Sequence, residues 1–163
     1  MLVVVYGLPG SGKSYFASRL AERLEATCLS SDALRKELVD EPRYSAEEKE
    51  RVYENLFAKA SAALHGGGSV VLDATFHTAA RRQRVIQLAD ESGAALHWIE
   101  VFAAEPVLRA RLAMDRPDSD ADYVVYEKIK REFEPVTEPH LRLESTQSNL
   151  AQMLDGALGY LGA

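Results

Sequence analysis

The sequence predicts an α/β domain of three layers, with a five-stranded, mostly parallel sheet flanked by helices. Two observations carry this. Five short apolar runs alternate with longer stretches of helical periodicity, and the first run passes through a glycine-rich turn directly into a helix. Parallel strands joined by helices require crossovers, which are right-handed and lay the helices against the sheet faces.

The elements follow in order. Leu2 to Tyr6 is apolar throughout and stops at Gly7, the pattern of a strand buried on both faces. From Lys13 to Glu25, residues Phe16, Ala17, Leu20, Ala21 and Leu24 recur at helical spacing. Thr27 to Ser30 reads as a second strand, after which Ser31 or Asp32 can cap a helix running through Leu34 and Leu38 and stopping before Pro42. Ser45 and Glu48 have the spacing of a capping box at the head of a long helix carrying Val52, Leu56, Phe57, Ala60 and Leu64. Gly66, Gly67 and Gly68 end it as a C-terminal cap and turn. Ser69 to Leu72 is the third strand, closed by Asp73, and a helix spans about Ala79 to Glu91. Ala95 to Phe102 is the fourth strand, Pro106 opens a helix through Ala113, and Asp120 or Asp122 opens another toward Phe133. A weaker strand at Leu141 to Leu143 and a last helix, Leu150 to Leu161, complete the chain. No repeat or interdomain linker interrupts this order, so a single domain over residues 1–163 is expected.

Composition narrows the partners. The 163 residues, 47% hydrophobic and 27% charged, supply one core and not two. With 19 Lys and Arg against 25 Asp and Glu, the net charge of −6 disfavours bulk nucleic-acid binding and anionic membranes. No apolar run approaches the roughly 20 residues that span a bilayer. The expectation is a cytoplasmic protein with no membrane partner. The single Cys28 cannot make an internal disulfide and is expected to be a small core residue, as Tyr6, Trp98 and Phe102 are expected to be large ones.

Gly7-Leu8-Pro9-Gly10-Ser11-Gly12-Lys13-Ser14 matches G-x-x-x-x-G-K-[ST], a phosphate-binding loop. Chance gives such a match in well under about 1% of chains this long, and here a buried strand enters the loop and a helix leaves it, as the chemistry requires. Backbone N–H groups of the loop and helix start bind phosphate, Lys13 places a compact cation on the β- and γ-phosphates, and the Ser14 hydroxyl ligates Mg²⁺. The expected nucleotide site is Gly7, Pro9, Gly10, Ser11, Gly12, Lys13, Ser14 and Tyr15. Tyr15 stands where the dinucleotide fingerprint would need Gly or Ala, which disfavours that motif.

Asp73 ends an apolar strand at the sheet edge where ligands bind, the position for an acid that holds Mg²⁺ or its water, although a strand-end Asp can also be a plain turn residue. The sequence has no N-K-x-D, and Asp73 leads into Ala74-Thr75-Phe76 rather than D-x-x-G, so ATP is the expected donor. Transfer to an alcohol also asks for a base near the acceptor. Asp32 sits at a strand end where such a base can face the γ-phosphate, with Arg35 one helical turn on. The other reading makes Asp32 an N-cap and Arg35 a solvated charge; spacing alone does not choose between them. Arg81, Arg82 and Arg84 form either an acceptor-edge patch or a solvent face, and His77 is either an acceptor contact or a loop histidine.

The loop, Ser30-Ser31-Asp32 with Arg35, the run Leu72 to Phe76 and the stretch Arg109 to Asp122 together resemble small P-loop kinases. These include polynucleotide 5′-hydroxyl kinases, zeta-toxin-like kinases and the kinase-like module fused to aminoglycoside-phosphotransferase-like proteins. The resemblance spans roughly Leu2 to Pro135. It implies a nucleoside-kinase-like P-loop NTPase fold using ATP and Mg²⁺ and a hydroxyl acceptor on a small molecule or nucleic-acid 5′ end. It further implies Asp32 as general base, Arg35 on the acceptor with Thr75, His77 and Arg81 nearby, and Asp73 as an acid near Arg35 or, with Ser14, at the metal. A helical lid from Arg109 to about Lys130 would bring Arg111 and Arg116 to the donor phosphates. The alternative class is an ATPase or nucleotide-binding switch acting on a protein partner, which would need neither Asp32 nor Arg35.

Overall fold

The computed structural model describes residues 1–39, 43, 45–114 and 123–163. Its strands are β1 (Leu2–Tyr6), β2 (Thr27–Ser30), β3 (Val70–Asp73), β4 (Leu96–Phe102) and β5 (His140–Glu144). Its helices are α1 (Lys13–Leu24), α2 (Ser31–Leu38), α3 (Ala46–His65), α4 (Ala79–Ser92), α5 (Glu105–Leu112), α6 (Tyr123–Glu132) and α7 (Leu150–Leu161). The sheet order is β2-β3-β1-β4-β5, and every pairing is parallel.

The central strand β1 is buried at all five positions, and its side chains alternate between two cores. Leu2, Val4 and Tyr6 join Leu56, Leu72 and Val85 on the side covered by α3 and α4. Val3 and Val5 join Phe16, Leu20, Ile99 and Leu154 on the side covered by α1 and α7. A smaller cluster packs α5 and α6 around Leu108, Leu112 and Tyr126. Helix, sheet and helix form the three layers.

The register aligns the C-terminal ends of β1, β2 and β3: Val5 stands opposite Asp73, and Asp73 opposite Ser30. The phosphate loop, Ser30 and Asp73 therefore share one sheet edge.

Several local expectations change. The N-cap of α2 is Ser30 rather than Ser31 or Asp32. Cys28 lies on edge strand β2 and is exposed, because only one sheet neighbour covers it; it is not a core residue. Phe102 is half-buried, at the end of β4 with the Arg142 guanidinium 4.2 Å from its ring centre, whereas Tyr6 and Trp98 are core. The glycine triplet does end α3: Gly67 takes the left-handed conformation, and the Gly67 and Gly68 N–H groups bond the Leu64 and Ala63 carbonyls. The start of the helix toward Phe133, with Asp120 and Asp122, lies outside the described residues. Among the described residues, no helix is long and apolar enough to cross a membrane.

Candidate active site

The phosphate loop turns because two of its glycines adopt conformations and approaches that a side chain forbids. Gly7, at φ 152°, leaves β1 so close to the neighbouring strand that a Cβ would lie 2.2 Å from the Val101 carbonyl oxygen. Gly12, at φ 88°, caps α1, and a Cβ there would lie 2.7 Å from Ser145 Oγ and 3.1 Å from an Arg111 guanidinium nitrogen. No side chain caps α1 and no acid stands in its first turn, so its first N–H groups remain for an anion. Lys13 is buried at the head of this helix.

Behind the loop lies Asp73, 2% exposed. Burial pushes its carboxyl above the ordinary range, opposed by the Lys13 ammonium and by the Ser14 and Ser30 hydroxyls that face it; Asp32 adds to the rise. Among the described residues, Asp73 Oδ1 and Ser11 Oγ are buried without a hydrogen-bond partner. The buried Asp73 carboxylate facing the Ser14 hydroxyl is the oxygen-donor pairing that suits a hard divalent cation, which keeps most of its own waters.

Asp32 and Arg35 are not a helix cap and a solvated charge. Arg35 Nη1 donates to Asp32 Oδ1 at 2.9 Å, and the Arg35 side chain is only 11% exposed. Arg35 also meets Glu48, whose Oε1 lies 3.2 Å from Arg35 Nε. Only half of the expected capping box forms. Ser45 Oγ accepts the Glu48 N–H, while the Glu48 carboxylate turns away to accept the Arg43 N–H and meet Arg35.

One cavity of about 240 Å³ collects Pro9, Lys13, Asp32, Arg35, Thr75, His77 and Arg81. Thr75 Oγ1 and His77 Nδ1 are 3.2 Å apart, and the Arg81 guanidinium stacks 3.9 Å from the centre of the Tyr53 ring. Lys49, Tyr53, Lys128 and Glu132 also line it and were missed as site residues in the sequence. Their signal was the spacing of Lys49 with Tyr53 and of Lys128 with Glu132, each four apart on one helix face. The three neighbouring arginines separate: Arg81 reaches the cavity, Arg82 is buried against the Phe76 and Pro135 carbonyls, and Arg84 lies on the surface beside Phe57.

Arg111 does not line that cavity. Its Nη1 donates to the Gly10 carbonyl and its Nη2 to the Thr146 carbonyl, both at 3.2 Å. With Gly12, Tyr15 and Thr146 it lines a separate cavity of about 280 Å³. Gly7 and Ser11 border a third, of about 400 Å³. Arg116 lies outside the described residues.

The sequence pattern of a family described as an AAA domain (AAA_33) matches residues 2–136. The chain belongs to this family. The AAA-domain chain is 30% identical over 123 residues to the uncharacterized protein Rv2004c of Mycobacterium tuberculosis, covering 68% of this chain and 25% of that protein. It thus spans about a quarter of the length of the curated relatives it matches. Its fold is similar to that of the Mycobacterium tuberculosis APS kinase CysC in complex with AMPPNP and APS, at TM-score 0.74, 20% identity and 99% and 97% coverage of the two chains. Chaetomium thermophilum Kti12 in complex with ADP-AlF3 gives TM-score 0.72 at 21% identity, covering 98% of each chain. A gluconokinase from Sinorhizobium meliloti 1021 gives TM-score 0.68 at 19% identity, covering 98% of this chain and 90% of that one. At such identities the likeness establishes a shared fold.

Proposed function

We propose that this AAA-domain chain is a cytoplasmic, ATP- and Mg²⁺-dependent kinase that transfers the γ-phosphate to a hydroxyl of a small molecule or a nucleic-acid 5′ end. The observation that carries this reading is a shared cavity: the phosphate-loop Lys13 and the Asp32–Arg35 pair line the same space. A nucleotide switch has no use for a carboxylate–guanidinium pair facing its loop lysine. The names of two structural neighbours, an APS kinase and a gluconokinase, support the same reaction class.

The chain's residues divide the work. The uncapped start of α1, the loop backbone and Lys13 hold the donor phosphates, with Gly7, Pro9, Gly10, Ser11, Gly12 and Tyr15 shaping the cradle. Ser14 and Asp73 hold Mg²⁺, which when bound neutralises charge on the donor phosphates. Arg35 fixes Asp32 through Oδ1; among the described residues Oδ2 has no partner, so it is the oxygen that takes the acceptor proton. As that proton moves to Asp32, the acceptor oxygen bonds to the γ-phosphorus, the bond from phosphorus to the bridging oxygen breaks, and ADP leaves. Thr75, His77 and Arg81 position the acceptor. Residues from Arg109 to about Lys130 act as a lid. Supporting this, Lys128 and Glu132 of α6 already wall the cavity, and Arg111 holds the loop through a carbonyl it would exchange for a donor phosphate, with Arg116 assisting.

The test is ADP release from ATP and Mg²⁺ against pooled nucleosides, 5′-hydroxyl oligonucleotides, sugars and aminoglycosides, for wild type and Asp32→Ala. Release that rises with one pool and is lost in the variant is expected. Acceptor-independent release that survives the substitution would instead indicate a switch that regulates a protein partner.

A further inference from the structure

Besides Lys13 and Arg35, three further cations line the Asp32 cavity, in the company of the acids Asp32 and Glu132. Lys49 comes from α3, Arg81 from α4 and Lys128 from α6, and among the described residues none of the three makes an ion pair. Among the described residues some basic side chains outside the cavity pair with carboxylates, as Arg19 does with Glu22 and Lys59 with Glu37, while others, such as Arg84, make no ion pair; what sets Lys49, Arg81 and Lys128 apart is that three helices bring them to one cavity. Within the cavity, Arg35 is held by both Asp32 and Glu48. The three further cations gather in one cavity of a chain whose net charge is −6.

The three cations also bear on one another. Lys49 is half-buried; burial and the neighbouring charges of Lys128, Arg81 and Arg35 push its ammonium below the ordinary range, with Glu132 opposing. Arg81 lies on the buried Tyr53 ring, which holds the guanidinium at the wall without neutralising it. Like charges gathered in a partly desolvated space raise the energy of the empty site, and an anion in that space removes the cost.

Resting on the kinase reading above, we infer that Lys49, Arg81 and Lys128 form an oxyanion subsite, so that the acceptor is a small alcohol bearing a phosphate, sulfate or carboxylate group. The cavity volume of about 240 Å³ suits a small acceptor, being below the roughly 300–1,000 Å³ of pockets that enclose drug-sized ligands. The overall acidity of the chain disfavours a long polyanion in the same place.

The test is a ¹⁵N NMR titration of the full chain with inorganic phosphate, sulfate and acetate in turn, which separates the three sources of the charge. At least one anion is expected to give saturable shifts around Lys49, Arg81 and Lys128. Lys49→Gln with Arg81→Gln should weaken that binding at least about tenfold, while Arg23→Gln with Lys59→Gln, an equal charge change elsewhere, should leave it within about twofold. Shifts confined to residues 7–14, or a cavity double variant that binds as wild type does, would overturn the subsite. Paired acceptors then separate the two readings: glycerol against glycerol 3-phosphate, glucose against gluconate, and a nucleoside against its 3′-monophosphate. Anion binding without transfer to any acceptor removes the kinase and leaves the subsite. Transfer to the neutral members as efficient as to the charged ones, or to 5′-hydroxyl oligonucleotides alone, keeps the kinase and overturns the subsite.

Discussion

The Glu48 carboxylate stands 3.2 Å from Arg35 Nε, and both side chains are largely withdrawn from solvent, at 8% and 11% exposure. The same carboxylate accepts the Arg43 N–H just ahead of α3, so one acid ties the start of that helix to the guanidinium that orients Asp32. Glu48→Gln keeps an acceptor oxygen and removes the charge. Stability should fall by about 1–3 kcal/mol in urea denaturation, because a buried ion pair loses its acid while Asp32 still partners the arginine. With an acceptor in hand, its KM should rise about tenfold and the KM for ATP stay within about twofold. An unchanged acceptor KM would restrict Glu48 to a structural role.

Arg82 and Arg84 are two positions apart and should behave oppositely. Arg82 is 1% exposed, donates to the Phe76 carbonyl at 2.9 Å and the Pro135 carbonyl at 2.6 Å, and has Glu138 at 3.7 Å. It joins α4 to the segment that follows α6. Arg82→Ala leaves two carbonyls and an acid uncompensated and should cost about 3–5 kcal/mol. Arg84 is exposed and lies beside the Phe57 ring, and among the described residues it makes no ion pair, so Arg84→Ala should stay within about 0.5 kcal/mol. Chemical denaturation of the two variants side by side decides this.

The same arginines show what a sequence can and cannot convey. Among the described residues periodicity located the strands, and the starts of the helices other than the one toward Phe133, to within a few residues, because helices bury one stripe and β1 buries both faces. The phosphate loop was legible because its glycines, lysine and serine serve one local geometry. The role of Arg82 was not, since its partner Pro135 comes 53 residues later, and neither was the contact of Arg111 with Gly10, 101 residues earlier. Lys49 escaped for a related reason: its meaning comes from Arg81 and Lys128, which only the packing of α3, α4 and α6 brings near it. Glu48 was read correctly as a helix-start residue by its spacing, but its carboxylate answers to Arg35, a tertiary partner that overrides the local cap.

Two glycines offer a contrast in sign. At Gly12 the backbone is left-handed and a Cβ would meet Ser145 Oγ at 2.7 Å, so Gly12→Ala should destabilise by roughly 1–3 kcal/mol and weaken nucleotide binding as the α1 N-terminus shifts. Gly159 lies within α7, exposed, with nothing within 4 Å of the position its Cβ would take. Gly159→Ala should therefore stabilise by about 0.5–1 kcal/mol through helix propensity. Urea midpoints of the two variants, measured together, test both; a neutral Gly12→Ala would mean that the loop can relax around the new methyl group.

His77 and His97 set a pH dependence whose sign follows from their surroundings. Burial first, then the Arg81 and Lys49 charges, lower the proton affinity of His77, against opposition from Glu132 and Glu134. Burial and the chain's amino terminus lower that of His97. In the unfolded chain both titrate near about 6.5, so below that pH the unfolded state binds more protons and folding weakens as pH falls toward the depressed folded-state values. Above about 6.5 both states are neutral at these sites and the effect vanishes. Asp73, pushed up by burial, contributes with the opposite sign, so the informative comparison is between wild type and variant at each pH. Between about pH 7.5 and about 5.5, the His77→Gln, His97→Gln double variant should lose less thermal stability than wild type. Equal losses would show that neither ring is held neutral by its environment. A larger loss in the variant would mean that the protonated rings stabilise the fold, with Glu132 and Glu134 outweighing Arg81 and Lys49 at His77.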